Sequence, residues 1–314
     1  MLRGFLYPGG NIPVLTPGVM IARFIDYISY EKRYSPHTVL AYKTDLEQFI
    51  RFLEEQYGIS QPEEITYLVI RDYLSGLMES GLNARSVNRK KTCMQTYFRY
   101  LIREGLITVN PMKRVISPKS AKRLPVYIPE GQTETLFLEA EAGSGESFIA
   151  LRNRMILEMF YATGMRLSEL VHLKDSDLDL SSMTVRVLGK RNKERLIPFG
   201  PSLAKLIRQY LDCRSAEHIN NVESRFFVTG AGKKIYPKLA YRVVNDYLSS
   251  IPNLEKKSPH VLRHTFATHM LNKGAELNAI KELLGHASLS ATQVYTHNTI
   301  EKLKTIYKQA HPKA

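Results

Sequence analysis

Between residues 106 and 128 the chain loses every sustained apolar period, and Pro111, Pro118 and Pro125, with Pro129 just beyond, interrupt any helix or strand that could begin there. Helical patterning runs on both sides of this stretch. The sequence therefore reads as two bodies joined by a spacer rather than as one continuous core. At 314 residues the chain is long enough for two domains with cores of their own.

Residues 1 to 16 carry no periodic signal and read as an irregular lead-in with no assigned function. From Pro17, the spacing of Met20, Phe24, Ile25 and Ile28 predicts a first helix. Ser35 and Pro36 then supply an N-cap and a first helical residue. The helix they open has an apolar stripe of Leu40, Tyr42, Leu46, Phe49, Ile50 and Leu53, with Gly58 just past its end. Residues 66 to 80 and 83 to 104 predict two more helices, closed by Gly81 and Gly105. The span 17–105 is thus expected to be a four-helix domain.

The second body, 129–314, mixes element types. Helical patterns at 131 to 142 and 146 to 162 lead to Gly164, a helix end and tight turn, after which Arg166 opens a new helix. Glu169, three residues on, is placed either to accept from a site residue or simply to cap that first turn. The runs 184 to 188 and 195 to 197 read as strands joined by a charged hairpin at 189 to 194, with Lys190 at its start. Such hairpins are usually only solvated, but a lysine on one can enter a minor groove and donate a proton. Helices at 201 to 213 and 238 to 251 flank a short strand at Phe226 to Val228. The fold class is therefore mainly α with a small β-sheet.

The densest chemistry begins at His260. Pro259 can occupy a first helical turn, and Val261, Leu262, Phe266, Met270 and Leu271 give the helix its apolar stripe. His260 and Arg263, three apart, share a face. Residues 276 to 284 form a second short helix closed by Gly285, which puts His286 just past a helix end. A third, from Ser290, would deliver Tyr295. Guanidinium, imidazole and phenol groups gathered in one region suit a tetrahedral phosphate better than a carbonyl, because arginine matches its oxygens two at a time. Taken singly these residues have plainer readings: Arg263 as a surface salt-bridge partner, His286 as a satisfied loop histidine, Tyr295 as one of 18 tyrosines. His260 and His264 have zinc-pair spacing, but Val261 stands where a hydrolytic zinc helix carries Glu, and no carboxylate ligand follows at a matching interval. No metal is expected.

Charge narrows the partner. Lys and Arg total 44 against 30 acids, a formal net charge of +14 that suits a polyanion such as nucleic acid. The fourth helix and the spacer hold the strongest asymmetry: Arg85, Arg89, Lys90, Lys91, Arg99, Arg103, Lys113, Arg114, Lys119, Lys122 and Arg123, opposed only by Glu104. With Val87, Met94, Phe98 and Leu101 as its apolar side, the basic residues read as a stripe for backbone phosphates, although a solvated face is the usual explanation of such charge. No run approaches the ~18 apolar residues of a membrane span, and residues 1 to 19 lack a signal-like apolar core. The expectation is a soluble, cytoplasmic chain. Cys93 and Cys213, far apart and each in a helical pattern, read as core filling in a reduced compartment.

Five motifs then stand in order: Ala162-Thr-Gly-Met-Arg166-Leu-Ser-Glu169-Leu, Gly189-Lys190-Arg-Asn-Lys-Glu-Arg195, His260-Val-Leu-Arg263-His-Thr-Phe-Ala-Thr-His269, Leu283-Leu-Gly-His286 and Tyr295-Thr-His297. Together they resemble the tyrosine recombinases, and most closely the Xer group. Ser35-Pro-His-Thr38, Tyr42 and Asp45-Leu46 extend the resemblance to the family's core-binding domain. It implies a helical DNA-binding domain and a mixed α/β catalytic domain clamping a duplex, with Tyr295 as nucleophile. By the same resemblance Arg166, Arg263 and His286 hold the scissile phosphate, Lys190 is the general acid, His260 takes or shares the phenol proton, and Glu169 supports the site. This fits the chemistry. A phenol with a pKa near ~10 needs a base and a strongly positive pocket, and donors that meet developing charge are worth ~3 kcal/mol each. No ATP, metal or other cofactor is required.

The resemblance further implies a homo- or hetero-tetramer on two duplexes, built through a terminal helix whose stripe is Ile300, Leu303, Ile306, Tyr307 and Ala310. Taken alone, that stripe favours packing within its own domain. Resolution of chromosome dimers at a dif-like site is the favoured role, because the lead-in before Pro17 is short for the additional arm-binding domain of many phage integrases. An integrase or invertase of a mobile element uses the same chemistry and stays open, as do involvement of a partner recombinase and of a DNA translocase. A type IB topoisomerase fits the helical domain less well. An architectural DNA-binding protein and a metal-dependent nuclease are the readings outside this chemistry.

Overall fold

Prolines and small polar residues open the helices, and left-handed glycines close several of them. The computed structural model describes residues 17–119, 126–143, 147–189, 193–219, 221, 223–285 and 297–314, and no side chains at 297–299. The chain divides into two units, Met1–Arg123 and Leu124–Ala314.

The first unit has four α-helices among its described residues: α1 (Pro17–Asp26), α2 (Pro36–Tyr57), α3 (Tyr67–Glu79) and α4 (Ala84–Arg103). Alpha1 runs on into a π-turn at Tyr27–Glu31. Ser35 accepts the Thr38 N–H at the start of α2, and Gly58 at its end adopts φ 63 with its N–H on the Glu54 carbonyl. Phe24, Ile28, Leu46, Phe49, Ile70, Val87, Cys93, Phe98 and Leu101 form a fully buried core. Two features differ from the sequence reading. Leu40 is 63% exposed, since it falls on the outer side of α2. The spacer is also not all spacer: Ile107, Met112 and Val115 are buried in this core, and Lys91 donates to Ser117 Oγ at 2.8 Å and Asn88 to the Pro118 carbonyl at 2.9 Å.

The second unit is assembled around α6 (Phe148–Thr163), which is buried at every position from Met155 to Thr163 and so is apolar nearly all round. Alpha5 (Glu130–Ala142), α8 (Pro201–Ala216), α9 (Pro237–Leu248) and α10 (Pro259–Asn272) pack on it. The short α7 (Leu167–His172) leads to an antiparallel sheet, β1 (Leu178–Asp179), β2 (Thr184–Leu188) and β3 (Glu194–Pro198), in the order β1-β2-β3 with Val185 opposite Ile197 and Val187 opposite Arg195. Phe226 to Val228 is not a strand. Its residues are buried on both sides and make only isolated bridges, Lys174 with Arg225 and Val228 with Lys234. Leu271, expected in the α10 stripe, is 50% exposed. Cys213 is only half-buried, at the edge of the core.

After α11 (Leu277–Leu284), the chain ends in α12 (His297–Ala310). Leu303, Tyr307 and Ala310 are buried in the second unit's own core, and the Tyr307 hydroxyl donates to the Ala162 carbonyl at 3.0 Å. The stripe's own preference, packing within its domain, is the arrangement seen in this single chain. No helix among the described residues is long and apolar enough to cross a membrane.

Candidate active site

Arg166, Glu169 and Arg263 come together in the second unit, around the end of α11. Gly164 closes α6 in the left-handed conformation at φ 60, the chain turns, and Arg166 becomes the N-cap of α7 with Glu169 in its first turn. Glu169 accepts the Arg166 backbone N–H at 2.7 Å and its Nη1 at 2.9 Å. One carboxylate thus caps the first turn of α7 and holds the Arg166 side chain. Its other partner is Arg195 on β3, which grips both oxygens at 2.8 and 2.9 Å.

Three arginines then cap three successive carbonyls at the end of α11. Arg195 Nε donates to Leu283 O at 2.7 Å, Arg263 Nη2 to Leu284 O at 2.6 Å, and Arg166 Nη2 to Gly285 O at 2.9 Å. These oxygens have no acceptor role left within the helix and carry its negative end, so cations suit them. Arg263 Nη1 also donates to Gly164 O at 2.6 Å, tying α10 to the turn before Arg166.

Three guanidinium groups against one carboxylate leave two surplus positive charges. The strain is visible at Arg263, whose pKa is pushed down to about 10, first by burial and then by Arg166 and Arg195, with Glu169 opposing. Burial is the largest influence on Glu169 and acts to raise its pKa, yet Arg195 and Arg166 outweigh it and hold the carboxyl below its usual range. Such a cluster offers an anion fixed, forked donors in a partly desolvated setting. Arg166 is the accessible member, its side chain 33% exposed.

His260 lies exposed in the first turn of α10, three residues from Arg263. His264 is half-buried, and among the described residues no group of three or more His, Cys, Asp or Glu could hold a metal. Lys190, His286 and Tyr295 lie outside the described residues, as do Lys122, Arg123, the lead-in and most of the helix expected from Ser290. The hairpin that carries Lys190 is closed at its base by the Gly189 N–H on the Lys193 carbonyl, at 2.7 Å.

Arg195 is the residue the sequence reading passed over as part of a strand. It shares a strand face with buried Ile197, two positions on, and a charge at an inward position of an apolar alternation was the available signal.

In the first unit the basic stripe needs correction. Arg85 and Arg99 are exposed on α4, but Lys90 and Lys91 are 6% and 7% exposed. Lys90 donates to Asp45 Oδ1 at 2.9 Å and also to Gln48, while Lys91 is held by Ser117. Arg89, though exposed, is forked onto Asp45. Asp45, on a helix 44 residues upstream of Arg89, is the opposing acid that the local charge count missed.

A basic arginine cluster at helix ends, a separate helical unit and this order of motifs define a class. Residues 127–302 match the phage integrase family and residues 21–105 match the phage integrase N-terminal SAM-like domain. The chain belongs to this family, the tyrosine recombinases, enzymes that cut and rejoin DNA. It is 37% identical to tyrosine recombinase XerC of Chlorobaculum parvum, with 93% of this chain and 94% of that one aligned. It is 39% identical to XerC of Pelobacter propionicus, over 94% and 95%. The fold is shared with XerH site-specific recombinase in a post-cleavage complex with a palindromic difH substrate (TM-score 0.70, 20% identity, 93% and 82% covered). It is likewise shared with the Tn1549 transposon integrase in complex with circular intermediate DNA (TM-score 0.68, 19% identity, 92% and 98% covered).

Proposed function

We propose that this chain recombines double-stranded DNA at a dif-like site and thereby resolves chromosome dimers. The observation that carries the reading is the likeness, over more than nine-tenths of both chains, to relatives named XerC. The three-arginine cluster supports the chemistry. Arg166, Arg263 and His286 hold the scissile phosphate through its non-bridging oxygens. His260 accepts the Tyr295 phenol proton as the phenol oxygen attacks phosphorus. A 3′-phosphotyrosyl bond forms, the bond from phosphorus to the 5′ oxygen breaks, and Lys190 protonates the leaving oxygen. A 5′ hydroxyl from the second duplex then attacks the phosphotyrosyl ester and returns the phenol. The bond energy is kept throughout, so the cycle draws on neither ATP nor a metal.

Arg85, Arg89, Arg99, Lys122 and Arg123 bind backbone phosphates in this reading, and Lys90 and Lys91 act instead within the first unit. Recombination takes place in a tetramer on two duplexes, with α12 as the inter-protomer element. That requires α12 to leave the packing in its own unit or to extend it to a neighbour.

The test is a nicked duplex carrying a dif-like site, incubated with the purified protein in chelator. A covalent protein–DNA adduct that Tyr295→Phe abolishes is the expected result. An adduct formed only on mobile-element ends would replace dimer resolution with the integrase reading. Tight binding without an adduct, on several sites and with a partner recombinase supplied, would leave only an architectural role.

A further inference from the structure

We infer that Arg195 is a positioning residue for this reaction, the brace that holds Glu169, and through it Arg166, in register with the end of α11 on which Arg263 also closes. The role rests on the proposed assignment of Arg166 and Arg263 to the phosphate.

Arg195 itself is 4% exposed, too enclosed for an extended DNA backbone to be its natural partner. Its three interacting nitrogens are all committed: Nη1 and Nη2 to the two oxygens of Glu169 at 2.8 and 2.9 Å, and Nε to Leu283 O at 2.7 Å. One planar group therefore fixes the distance between α7 and the α11 terminus. Arg166 reaches across the same gap, with Nη1 on Glu169 Oε1 and Nη2 on Gly285 O. If Glu169 or the α11 end shifts, Arg166 loses one of its two supports.

The surroundings are shaped around this guanidinium. A Cβ at Gly285 would stand 3.1 Å from Arg195 Nη1 and 3.2 Å from its Cδ, and Gly285 also has φ +64. Lysine cannot replace the fork, because a point charge meets one carboxylate oxygen and leaves Leu283 O or the other oxygen without its donor.

The role has an electrostatic consequence that a packing role lacks. Glu169 is faced by Arg166 from α7, Arg195 from β3 and Arg263 from α10. Burial opposes its charge, and Arg195 is the largest counterweight. Without Arg195 the carboxyl takes up a proton at higher pH, and a protonated Glu169 no longer holds the Arg166 guanidinium as an ion pair.

The experiment uses the full chain and a nicked duplex on which the unsubstituted protein gives a Tyr295-dependent adduct. Arg195→Gln and Arg195→Lys are compared with it at saturating DNA, at temperatures below each variant's unfolding. Both are expected to form adduct on the order of tenfold more slowly or worse, since small misplacements at a reacting centre cost up to ~100-fold. Binding of the same duplex should stay within about threefold, because the residue is enclosed. For Arg195→Gln the deficit should deepen as pH is lowered from about 8 to 6, and Arg195→Lys, which keeps a cation beside Glu169, should show the rate deficit with less of this pH dependence. Adduct rates within about twofold of the unsubstituted protein would overturn the role, as would a deficit explained by weaker binding or one independent of pH in both variants. Failure of both variants to fold would assign Arg195 to stability alone and overturn it too. An unsubstituted protein that forms no adduct on any site sinks the underlying reading, and this role with it.

Discussion

Arg195 and Glu169 meet as fork and carboxylate at 2.8 and 2.9 Å, with side chains only 4% and 2% exposed. The pair ties strand β3 to helix α7, and each oxygen of Glu169 has a second donor from Arg166. A buried ion pair of this kind adds little net stability over an apolar replacement of both partners, but removing one partner strands a buried charge. Its worth to an arginine cluster is different. Glu169 is the only carboxylate bonded to these guanidinium groups among the described residues, so it limits their mutual repulsion while the surplus charge stays available to an anion.

Glu169→Ala is therefore expected to destabilise the second unit by about 3 to 5 kcal/mol at neutral pH, the usual cost of leaving a buried charge unpaired. The pH dependence has a definite sign. The folded-state pKa of Glu169 is depressed, so its contribution is present above the unfolded value near 4.5 and is lost as pH falls through the folded one. Denaturant unfolding of the parent and variant should differ most near neutrality and converge below about pH 4.5. An equal difference at every pH would refute the ion-pair account.

Gly164 is the second support that can be tested. An alanine Cβ there would lie 2.7 Å from Phe266 Cδ1 and 2.9 Å from Leu284 Cδ2, at a φ of +60. Left-handed backbone and overpacking together should cost roughly 3 kcal/mol. The same shift moves the carbonyl that Arg263 Nη1 holds, so Gly164→Ala should also slow adduct formation. An unchanged melting temperature would mean that the turn relaxes freely and is not a fixed seat for Arg263.

Local signals carried a good part of this architecture in the sequence. Ser35 before Pro36, and glycines 58, 164 and 285, mark helix boundaries through chemistry that depends on a few neighbouring residues, and the structure has those boundaries there. Pairings across the fold were not legible. Lys90 looked like part of a stripe because Asp45, its partner, sits on a helix 45 residues away. Arg195 looked like the first residue of a short strand, because only the folded register places it opposite Val187 and over Glu169. The apolar pattern of residues 226 to 228 indicated burial correctly and strand pairing incorrectly, since burial on both sides needs no ladder. Of the proposed catalytic set, Arg166, Glu169 and Arg263 meet; Tyr295, His286 and Lys190 lie outside the described residues.

The corrected stripe makes a prediction about DNA binding. Exposed Arg85 and Arg99, if they bind phosphates, should each reduce the slope of log K against log salt by about 1 when changed to Ala. Lys90→Met should leave that slope unchanged. It removes a buried cation from Asp45, which keeps Arg89, and so should act on stability instead. A fall of about 1 in the slope for Lys90→Met would return this lysine to the DNA-contacting set.

The C-terminal end adds a sensitivity to acid. His311 is 4% exposed and stacked on Tyr307, with ring centroids 4.6 Å apart. Its Nδ1 accepts the Lys313 backbone N–H at 3.0 Å, so the neutral ring carries its proton on Nε2, which donates to the Tyr161 carbonyl at 3.3 Å. Burial, reinforced by Lys313, His269 and Lys273 and opposed by the Tyr161 carbonyl, pushes its pKa down to about 3. Between that value and the unfolded 6.5 the unfolded chain holds the proton and the folded chain does not, so stability rises with pH in this window. It should fall by up to roughly 1.4 kcal/mol for each pH unit below about 6.5. His269, also buried and depressed, adds to the same slope. His311→Phe keeps a ring in the stack but gives up two hydrogen bonds, a loss of about 1 kcal/mol each at neutral pH. Its unfolding free energy should then decline less steeply than the parent's from about pH 6.5 to 4. Parallel declines in the two proteins would mean that His311 is already charged in the folded state, and that the Nε2 contact to Tyr161 is an ionic one.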